Sequence, residues 1–474
     1  VTVPASHLIN EDKEPARNLA KAEIDKASKE KVAEINASAL TDEEKAAKLT
    51  EVQEAKDQAN NAIDNATTTE DLTKALEDGK SEINAINTTT SAEKAAAKQT
   101  LEDAYNAKKD AITNSGLTAE EKDAKQAELD KAKADADKAI DTATDNAGVA
   151  KALEDGKSEI DAINTTTSAK KDQAKEELKA AAEDAKKAID ANDNLSEDEK
   201  KGFKDAVDTE AAKAVADIEK ATTPADAQKA EEAGTAAIAE DVLDAAKQDA
   251  KNKIAEDVKA AKEAIDNNPN LSETEKQGFK DAVDTEAVKA NGEIDKATTP
   301  EAAQAAEEAG TAAIAEDVLD AAKQDAKNKI AKDLATVEAA IDANSNLSQD
   351  EKDAAKLAAQ AKEAEAVANI EKATTPEAAQ TLEDAAVKDL ANIEIKAAYD
   401  DAVKAIEAAD NLSTAAKTQA LEDLKKARQA AEEAIKTAST ADEVAKGALD
   451  GLKSLAKVEA KAAADDAKAA IEQN

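Results

Sequence analysis

The residues Asp193-Asn194-Leu195-Ser196-Glu197-Asp198-Glu199-Lys200 decide the fold, together with Lys220-Ala221-Thr222-Thr223-Pro224 further along the chain. The leucine of the first motif and the first threonine of the second are 27 residues apart. A fixed internal spacing of this kind indicates an array of similar structural units. The spacing occurs six times, at Leu40/Thr67, Leu117/Thr144, Leu195/Thr222, Leu271/Thr298, Leu347/Thr374 and Leu412/Ser439.

The intervals between successive leucines set the size of the repeats. They are 77, 78, 76, 76 and 65 residues. Residues 1–14, with the only histidine, His7, show no helical periodicity, so we predict a linker or the edge of a preceding domain. The last residues, 450–474, are predicted to form the first helix of a seventh repeat, as in an excerpt from a longer array. We place the six repeats at 15–90, 91–167, 168–243, 244–319, 320–384 and 385–449.

The composition favours thin helical bundles over one thick core. Aromatic residues make up 1% of the chain, and the apolar fraction of 41% is mostly alanine, which buries little area per residue. The charged fraction of 36% is also typical of disordered chains. Regular apolar spacing and repeated helix caps favour order instead. Each repeat is therefore predicted to be a three-helix bundle.

The two motifs predict where helices begin. At the leucine motif, Thr41 can accept a hydrogen bond from an orphan backbone N–H while Glu44 reaches back, which is the capping box. At the threonine motif, Thr223 can cap and Pro224 takes the first helical position, as do Thr299-Pro300 and Thr375-Pro376. The same box is predicted at Thr118/Glu121, Ser196/Glu199, Ser272/Glu275 and Ser348/Glu351, whereas Ser413/Ala416 lacks the glutamate.

A glycine follows the first threonine of the second motif by 12 residues in five of the six repeats. Glycine inside a helix costs about 1 kcal/mol relative to alanine. Its recurrence therefore indicates either close approach of two helices or a local bend, and we favour close approach. The glycines are Gly79, Gly156, Gly234, Gly310 and Gly451, and Ala386 is the exception.

The connections between repeats are predicted to be of three kinds. The run from Asn87 to Ser91, like its counterpart from Asn164 to Ser168, should interrupt the helix, with Thr90 and Glu93 forming a new capping box. The identical runs 234–255 and 310–331 contain no helix breaker, so these helices should continue into the next repeat. The last two connections are 11 residues shorter, which is close to three whole helical turns and preserves the inward face.

The charge of the chain limits its partners. The net charge is −41 and is spread over all repeats, which disfavours nucleic acid and anionic membranes as partners. No apolar run is long enough to span a bilayer. The absence of cysteine excludes a disulfide framework and fits a cytosolic chain or a Gram-positive surface protein.

No residues support catalysis, a cofactor or a metal site, and we predict a protein that is not an enzyme. The carboxylates lie on charged helix faces or in capping turns, His7 has no ligand partners, and no acidic loop has calcium-loop spacing. Asn-x-Ser triplets such as Asn194-Leu195-Ser196 are typical of glycosylation acceptors, but the serine is already needed as a cap. The aromatic residues are predicted to fill the core, with a ligand-facing patch as the alternative; they are Phe203, Phe279, Tyr105 and Tyr399.

The two motifs resemble those of a known family. Repeats with Asp/Asn-x-Asn-Leu-Ser/Thr-x-x-Glu-Lys followed by a turn such as Ile218-Glu219-Lys220-Ala221-Thr222-Thr223 resemble an uncharacterised helical repeat domain. That domain occurs in tandem in wall-anchored surface proteins of staphylococci, streptococci and lactobacilli, including matrix-binding and biofilm-associated adhesins. The resemblance covers nearly everything from residue 16 onward. The Asn-Thr-Thr-Thr breaks of the first two repeats depart from the pattern and argue against a uniformly straight rod.

The resemblance implies an extracellular, cell-wall-anchored stalk whose signal and anchor lie outside this chain, with no catalytic residues. We therefore predict an all-α chain of three-helix bundles stacked end to end into a monomeric rod, partly through shared helices. Its predicted role is to project a binding domain from the cell wall. The first alternative is that the repeats themselves bind a host extracellular protein, and the second is an intracellular filament or scaffold.

Overall fold

The computed structural model describes residues 13–166 and 168–473, and this part of the chain is built from fifteen α-helices without a β-strand. His7 and residues 1–12 of the predicted linker lie outside the described residues, whereas Glu14 already belongs to the first helix. The helices are α1 (Glu14–Ala37), α2 (Asp42–Asn65), α3 (Thr69–Ala85), α4 (Ala92–Thr113), α5 (Ala119–Thr142), α6 (Asn146–Ala162), α7 (Ala169–Asp190), α8 (Glu197–Lys220), α9 (Pro224–Asp266), α10 (Glu273–Lys296), α11 (Pro300–Asp342), α12 (Gln349–Glu371), α13 (Pro376–Glu407), α14 (Thr414–Thr437) and α15 (Ala441–Glu472).

The chain divides into two compact units, and each is built from three-helix bundles. The first comprises Val1–Asp184 and Ala206–Ile238, and the second comprises Ala185–Asp205 and Ala239–Asn474. In the first unit, α1, α2 and α3 form one bundle and α4, α5 and α6 form the next. In the second unit, successive bundles share α11 and α13. The predicted all-α architecture of tandem bundles is confirmed.

All five predicted capping boxes are present. The Glu44 N–H donates to the Thr41 hydroxyl at 3.2 Å, and the Thr41 N–H donates to the Glu44 carboxylate at 3.0 Å. Each box satisfies two backbone donors at a helix start that would otherwise be orphaned. The other four boxes are Thr118/Glu121, Ser196/Glu199, Ser272/Glu275 and Ser348/Glu351.

The box predicted at Thr90 and Glu93 is wrong. Helix α4 begins one residue later, and its cap is Ser91, whose hydroxyl accepts from the Lys94 N–H at 3.2 Å. The reason lies in the preceding turn, where the Asn87 side-chain oxygen accepts from the Thr90 N–H at 3.3 Å. The Thr90 N–H is therefore already bonded to Asn87, and the helix starts after it.

The predicted uninterrupted connections are confirmed. Helices α9 and α11 each run for 43 residues and begin with a proline after a threonine cap. Helix α13 runs for 32 residues, which is 11 fewer, without a break. By contrast, the Asn-Thr-Thr-Thr segments separate α3 from α4 and α6 from α7.

The repeated glycine marks a close approach of helices, as predicted, and not a bend. A Cβ atom placed on Gly310 would lie 2.5 Å from the Ala290 Cβ and 2.8 Å from the Ile254 Cδ1. Such distances are too short for carbon atoms that are not bonded to each other. Each bundle is therefore thin at one level, where glycine, alanine and a branched residue from its three helices meet. The corresponding sets are Gly79/Ala59/Ile24, Gly156/Ala136/Leu101, Gly234/Ala214/Leu178 and Gly451/Ala431/Ile395.

Each bundle core is a narrow stack of aliphatic side chains. In the fourth repeat, Val283 and Ile294 of α10 are fully buried against Ile265 of α9. The half-buried aromatic residues Tyr105, Phe279 and Tyr399 pack against the edges of their cores. Their predicted role in core filling is confirmed.

Lysine side chains from neighbouring helices close the ends of the second helices. The ammonium group of Lys94, which is buried, donates to the carbonyl oxygen of Asp141 at 2.8 Å. This satisfies one of the last carbonyl groups of α5 and places a positive charge at the negative end of its dipole. The same contact recurs as Lys171 to Glu219, Lys247 to Asp295, Lys323 to Glu371 and Lys388 to Lys436.

Candidate functional site: the joints between repeats

The joints between successive bundles carry the most specific polar contacts in the described residues. Within that part of the chain, no group of three or more His, Cys, Asp or Glu side chains is arranged to hold a metal ion. The structure assigns no catalytic, cofactor or metal residue, and their absence stays a prediction. In the helices described, none is long and apolar enough to cross a membrane. We therefore treat the joints as the candidate functional site.

In the first unit, the joint is a hydrogen-bonded turn. The Asn87 side-chain oxygen accepts from the Thr89 N–H at 3.0 Å and fixes the turn that leads into α4. The Glu44 carboxylate, which already caps α2, also accepts from the Glu93 N–H at 3.0 Å. One carboxylate thus binds the first turns of two helices that belong to different repeats.

The next repeat reaches back to the same place. The Asp42 N–H donates to the carbonyl oxygen of Thr144 at 2.9 Å, and the Asn146 N–H donates to the Glu43 carboxylate at 3.0 Å. The threonine turn of the second repeat therefore lies against the leucine motif of the first. The joint that follows repeats this design with Ala119 to Thr222, Ser168 to Glu121 and Lys170 to Glu121.

These shared carboxylates are held in the charged form. Burial, the largest influence, raises the pKa of Glu44, but hydrogen bonds from the Glu93 and Thr41 N–H groups outweigh it and the net pKa is lowered. Glu121 shows the same balance between burial and its hydrogen bonds, and its pKa is also lowered. Ionised carboxylates at the positive ends of two helices stabilise both helix starts.

In the second unit, the joint is an asparagine clamped by an aspartate on the shared helix. The Asp325 carboxylate accepts from the Asn270 backbone N–H at 2.6 Å and from its side-chain amide at 3.1 Å. Asp325 is 4% exposed, so these bonds satisfy a buried charge. The same pair, always 55 residues apart, recurs as Asn194/Asp249, Asn346/Asp401 and Asn411/Asp466.

This contact gives the asparagine of the Asn-x-Ser triplets a structural role. In Asn194 the amide nitrogen that a glycan would occupy donates to the Asp249 carboxylate at 3.0 Å. Glycosylation there would break the clamp. The structure therefore favours the structural interpretation of these triplets over the modification site.

A second contact links the capping glutamate to the shared helix, and its residues change together along the chain. The Asn328 amide donates to both Glu275 carboxylate oxygens, at 3.2 and 3.1 Å, as Asn252 does to Glu199. In the next repeat Lys404 replaces the asparagine and binds Glu351 at 2.6 Å. In the sixth repeat Ala416 and Ala469 take the two positions, so the capping glutamate and its partner are both missing there.

The capping carboxylates of this unit are also held ionised. The hydrogen bond from Lys404, followed by that from the Ser348 N–H, lowers the pKa of Glu351 to about 2. The backbone bond from Ser272 and the Asn328 amide lower the pKa of Glu275. The second helices of the fourth and fifth repeats thus carry an ionised capping carboxylate at their N-termini, whereas the sixth repeat has none.

Another glutamate lies near the clamping aspartate, and the ionised form of its carboxylate is disfavoured there. Glu383 of α13 is 4% exposed, and its burial, followed by the charges of Asp325 and Asp384, raises its pKa to about 7. Glu307 is half-buried, and its burial, followed by the charge of Asp249, also raises its pKa. The value of about 7 makes the joint at Glu383 sensitive to protonation near neutral pH.

The shared helices set the distance between bundles. In α11, Gly310 lies at the thin level of the fourth bundle and Ile330 takes the corresponding position in the fifth, 20 residues further on. At 1.5 Å per residue this advance is about 30 Å. The advance is shorter than one full helix of about 37 Å, so neighbouring bundles overlap slightly along the shared helix.

The fifth and sixth bundles overlap much more along the helix that they share. The corresponding positions on α13 are Ala386 and Ile395, which are only nine residues, or about 13 Å, apart. Two faces of the same helical segment therefore serve two cores. Ala386, Leu390 and Ala397 pack in the fifth, and Val387, Ala391 and Ile395 pack in the sixth.

Repeated three-helix bundles, joined by hydrogen-bonded turns and shared helices, are typical of tandem helical-repeat proteins. The chain belongs to the family described as a domain of unknown function, DUF1542, whose model matches residues 16–91, 93–168, 170–245 and 246–321. The predicted resemblance is thereby confirmed.

The matched relatives are named extracellular matrix-binding proteins and are of much greater length. The chain is 27% identical over 332 residues to the extracellular matrix-binding protein EbhA of Staphylococcus aureus strain Newman, a match that covers 66% of this chain and 10% of that protein. The same identity links it to the extracellular matrix-binding protein ebh of strain NCTC 8325 / PS 47, of which the match covers 3%. The match thus spans a tenth or less of either relative. No solved structure matches the chain.

Proposed function

We propose that the chain is a non-enzymatic spacer in a bacterial cell-surface adhesin, where it holds a binding domain away from the cell wall. The observation that carries the proposal is the clamp between Asn270 and Asp325 on an unbroken helix. A buried, charge-assisted clamp of this kind resists bending at the point where one bundle passes into the next. A row of such joints gives each repeat a defined advance.

The charge and the surface of the repeats support the same role. The net charge of −41 keeps neighbouring copies apart. Large apolar side chains are exposed only singly in the described residues, as at Val288 and Leu357. A spacer needs length and solubility more than it needs a binding surface. The high net charge and the lack of clustered apolar side chains on the described surface are consistent with that requirement.

Small-angle X-ray scattering of the whole chain, at two salt concentrations, tests the spacer directly. The spacer proposal predicts the cross-section of one bundle and a maximum dimension several times larger than that cross-section. The dimension should change little with salt, because the clamps are buried. A compact globule would contradict the proposal.

The alternative, direct binding of a host extracellular protein by the repeats, is supported by the name of the relatives, extracellular matrix-binding protein. Purified matrix proteins immobilised on a surface separate the two roles. A pure spacer should show no saturable binding of the whole chain in solution. Saturable binding that survives physiological salt would favour the alternative.

A further inference from the structure

The overlap of the fifth and sixth bundles creates a groove in the second unit. Three helices, α11, α13 and α15, enclose about 210 Å³. The connection through α13 is shorter than those through the 43-residue helices, and it places α15 beside α11. A connection of the longer kind would separate these two helices by the larger advance along the shared helix. The groove is walled mainly by Val337, Val387, Leu390, Val444 and Leu452.

Two residues in this groove differ from those at the same positions in the third and fourth repeats. Leu449 lies ten residues after Ser439, a position held by Glu232, Glu308 and Asp384 in the three preceding repeats. Its side chain is 51% exposed at the edge of the groove. An apolar residue has thus replaced an acidic one where the bundle surface meets the groove.

The second departure is Glu394. It lies 20 residues after Thr374, a position held by Val242 and Val318 in the third and fourth repeats and by Glu459 in the sixth. Its carboxylate is half-buried in the groove, and within the described residues no hydrogen bond or ion pair reaches it. A valine position has thus become a carboxylate without a positive partner.

The nearby charges do not compensate Glu394. Lys329, which also lines the groove, forms an ion pair with Asp333 at 2.5 Å. Burial, followed by the charge of Asp333, raises the pKa of Glu394. A half-buried carboxylate beside apolar side chains binds a cation more strongly than an exposed one, because water screens the pair less.

We propose that this groove binds a basic amphipathic segment of a partner protein, with an aliphatic side chain between Val387 and Leu449 and a lysine or arginine on Glu394. The volume suits one or two side chains and is below the range of about 300–1,000 Å³ typical of small-molecule pockets. The charge of −41 attracts a basic segment to the chain before it docks. The proposal goes beyond the spacer role, since a spacer needs no such groove.

The test uses the full chain and a labelled helical peptide of leucine and lysine, about 14 residues long or four turns. Fluorescence anisotropy measures binding at about 0.15 M and about 0.5 M salt, where screening removes the non-specific attraction. The peptide should bind one site per chain. A leucine–glutamate peptide of the same pattern should not bind.

One variant removes the charge of Glu394 with little change of shape, and the other restores at Leu449 the acidic residue type of the other repeats. Glu394→Gln should weaken binding about tenfold, which is the usual worth of a charged hydrogen bond. Leu449→Glu should weaken it at least about fivefold by removing apolar contact, although the added negative charge alone would strengthen attraction of a basic peptide. Because the two effects on binding have opposite signs, the direction of the change distinguishes docking in the groove from general electrostatic attraction.

Matched controls change the same residue types outside the groove. They are Glu433→Gln on α14 and Leu357→Glu on α12, where the wild-type leucine is 67% exposed. Each should leave binding within about twofold, since exposed charges and side chains contribute little. Circular dichroism of every variant checks that the helices are intact. Equal binding by groove and control variants, or equal binding of the acidic peptide, would overturn the proposal.

Discussion

The buried Asp325 carboxylate holds Asn270 by two hydrogen bonds, one to its backbone N–H at 2.6 Å and one to its amide at 3.1 Å. Asp325 lies on the shared helix α11, and Asn270 lies in the loop that precedes α10. This pair couples the loop of one bundle to the helix that leads into the next. The proposed spacer role predicts that contacts of this kind limit bending at the joints of the second unit.

Replacing Asp325 by alanine should loosen the joint locally. The Asn270 N–H and amide would lose a charged acceptor, at a cost of about 2 kcal/mol, or roughly a 30-fold loss of protection from hydrogen exchange. Exchange measured by mass spectrometry on the peptide around 270–275 checks this. The control is Asp244→Ala, at an exposed position on α9. Unchanged protection in Asp325→Ala would show that the clamp does not hold the loop.

Replacing Gly310 by alanine should destabilise the fourth bundle, although alanine is the better helix former. The new Cβ would lie 2.5 Å from the Ala290 Cβ, and overpacking of this kind costs about 1–3 kcal/mol. The matched control is Gly278→Ala on α10, where no atom lies within 4 Å of the new Cβ. That change should stabilise by up to about 1 kcal/mol. Urea denaturation followed by circular dichroism should therefore give opposite signs.

The sequence predicted the close approach at Gly310 but not its partners. A glycine that recurs inside a helix shows that a side chain is excluded, because the cost in helix propensity must be offset by packing. The helix caps could be predicted for a different reason. Their partners, such as Ser272 and Glu275, lie within one helical turn of each other in the sequence. The Asp325 clamp was missed because its asparagine is 55 residues away and has the pattern of a glycosylation site.

The overlap of the fifth and sixth bundles at α13 could not be predicted from the sequence pattern either. A deletion of 11 residues changes the direction of a helix face by only about 20°, so periodicity predicts that the same face stays inward. It does not reveal that the next bundle has moved back along the helix. The signal that could have shown it is the apolar character of Val387, Ala391 and Ile395 on a second face of α13.

Replacing Glu383 by glutamine should stabilise the joint in a pH-dependent way. Burial, then Asp325 and Asp384, raises the pKa of Glu383 to about 7 from 4.5, and Lys329 and Gln380 offset this only in part. A raised carboxyl pKa stabilises the folded chain below 4.5, and that contribution is lost as the pH rises through about 7. Glu383→Gln should therefore match the wild type near pH 4 and exceed it near pH 8.

Urea denaturation across this pH range measures the effect, with exposed Glu433→Gln as the control. The difference between wild type and Glu433→Gln should not vary with pH in the same window. A constant difference for Glu383→Gln as well would mean that Glu383 is ionised in the folded chain without penalty, and the proposed repulsion from Asp325 would be wrong.

The most direct test of the fixed advance is a distance across one joint. The chain contains no cysteine, so spin labels can be placed cleanly at Val288→Cys and Ala364→Cys, exposed and corresponding positions on α10 and α12. Pulsed electron paramagnetic resonance should give one narrow distribution centred between about 30 and 45 Å, from the advance plus the bundle width. A distribution spread over tens of ångströms would mean that the joint bends freely, and it would contradict the spacer account.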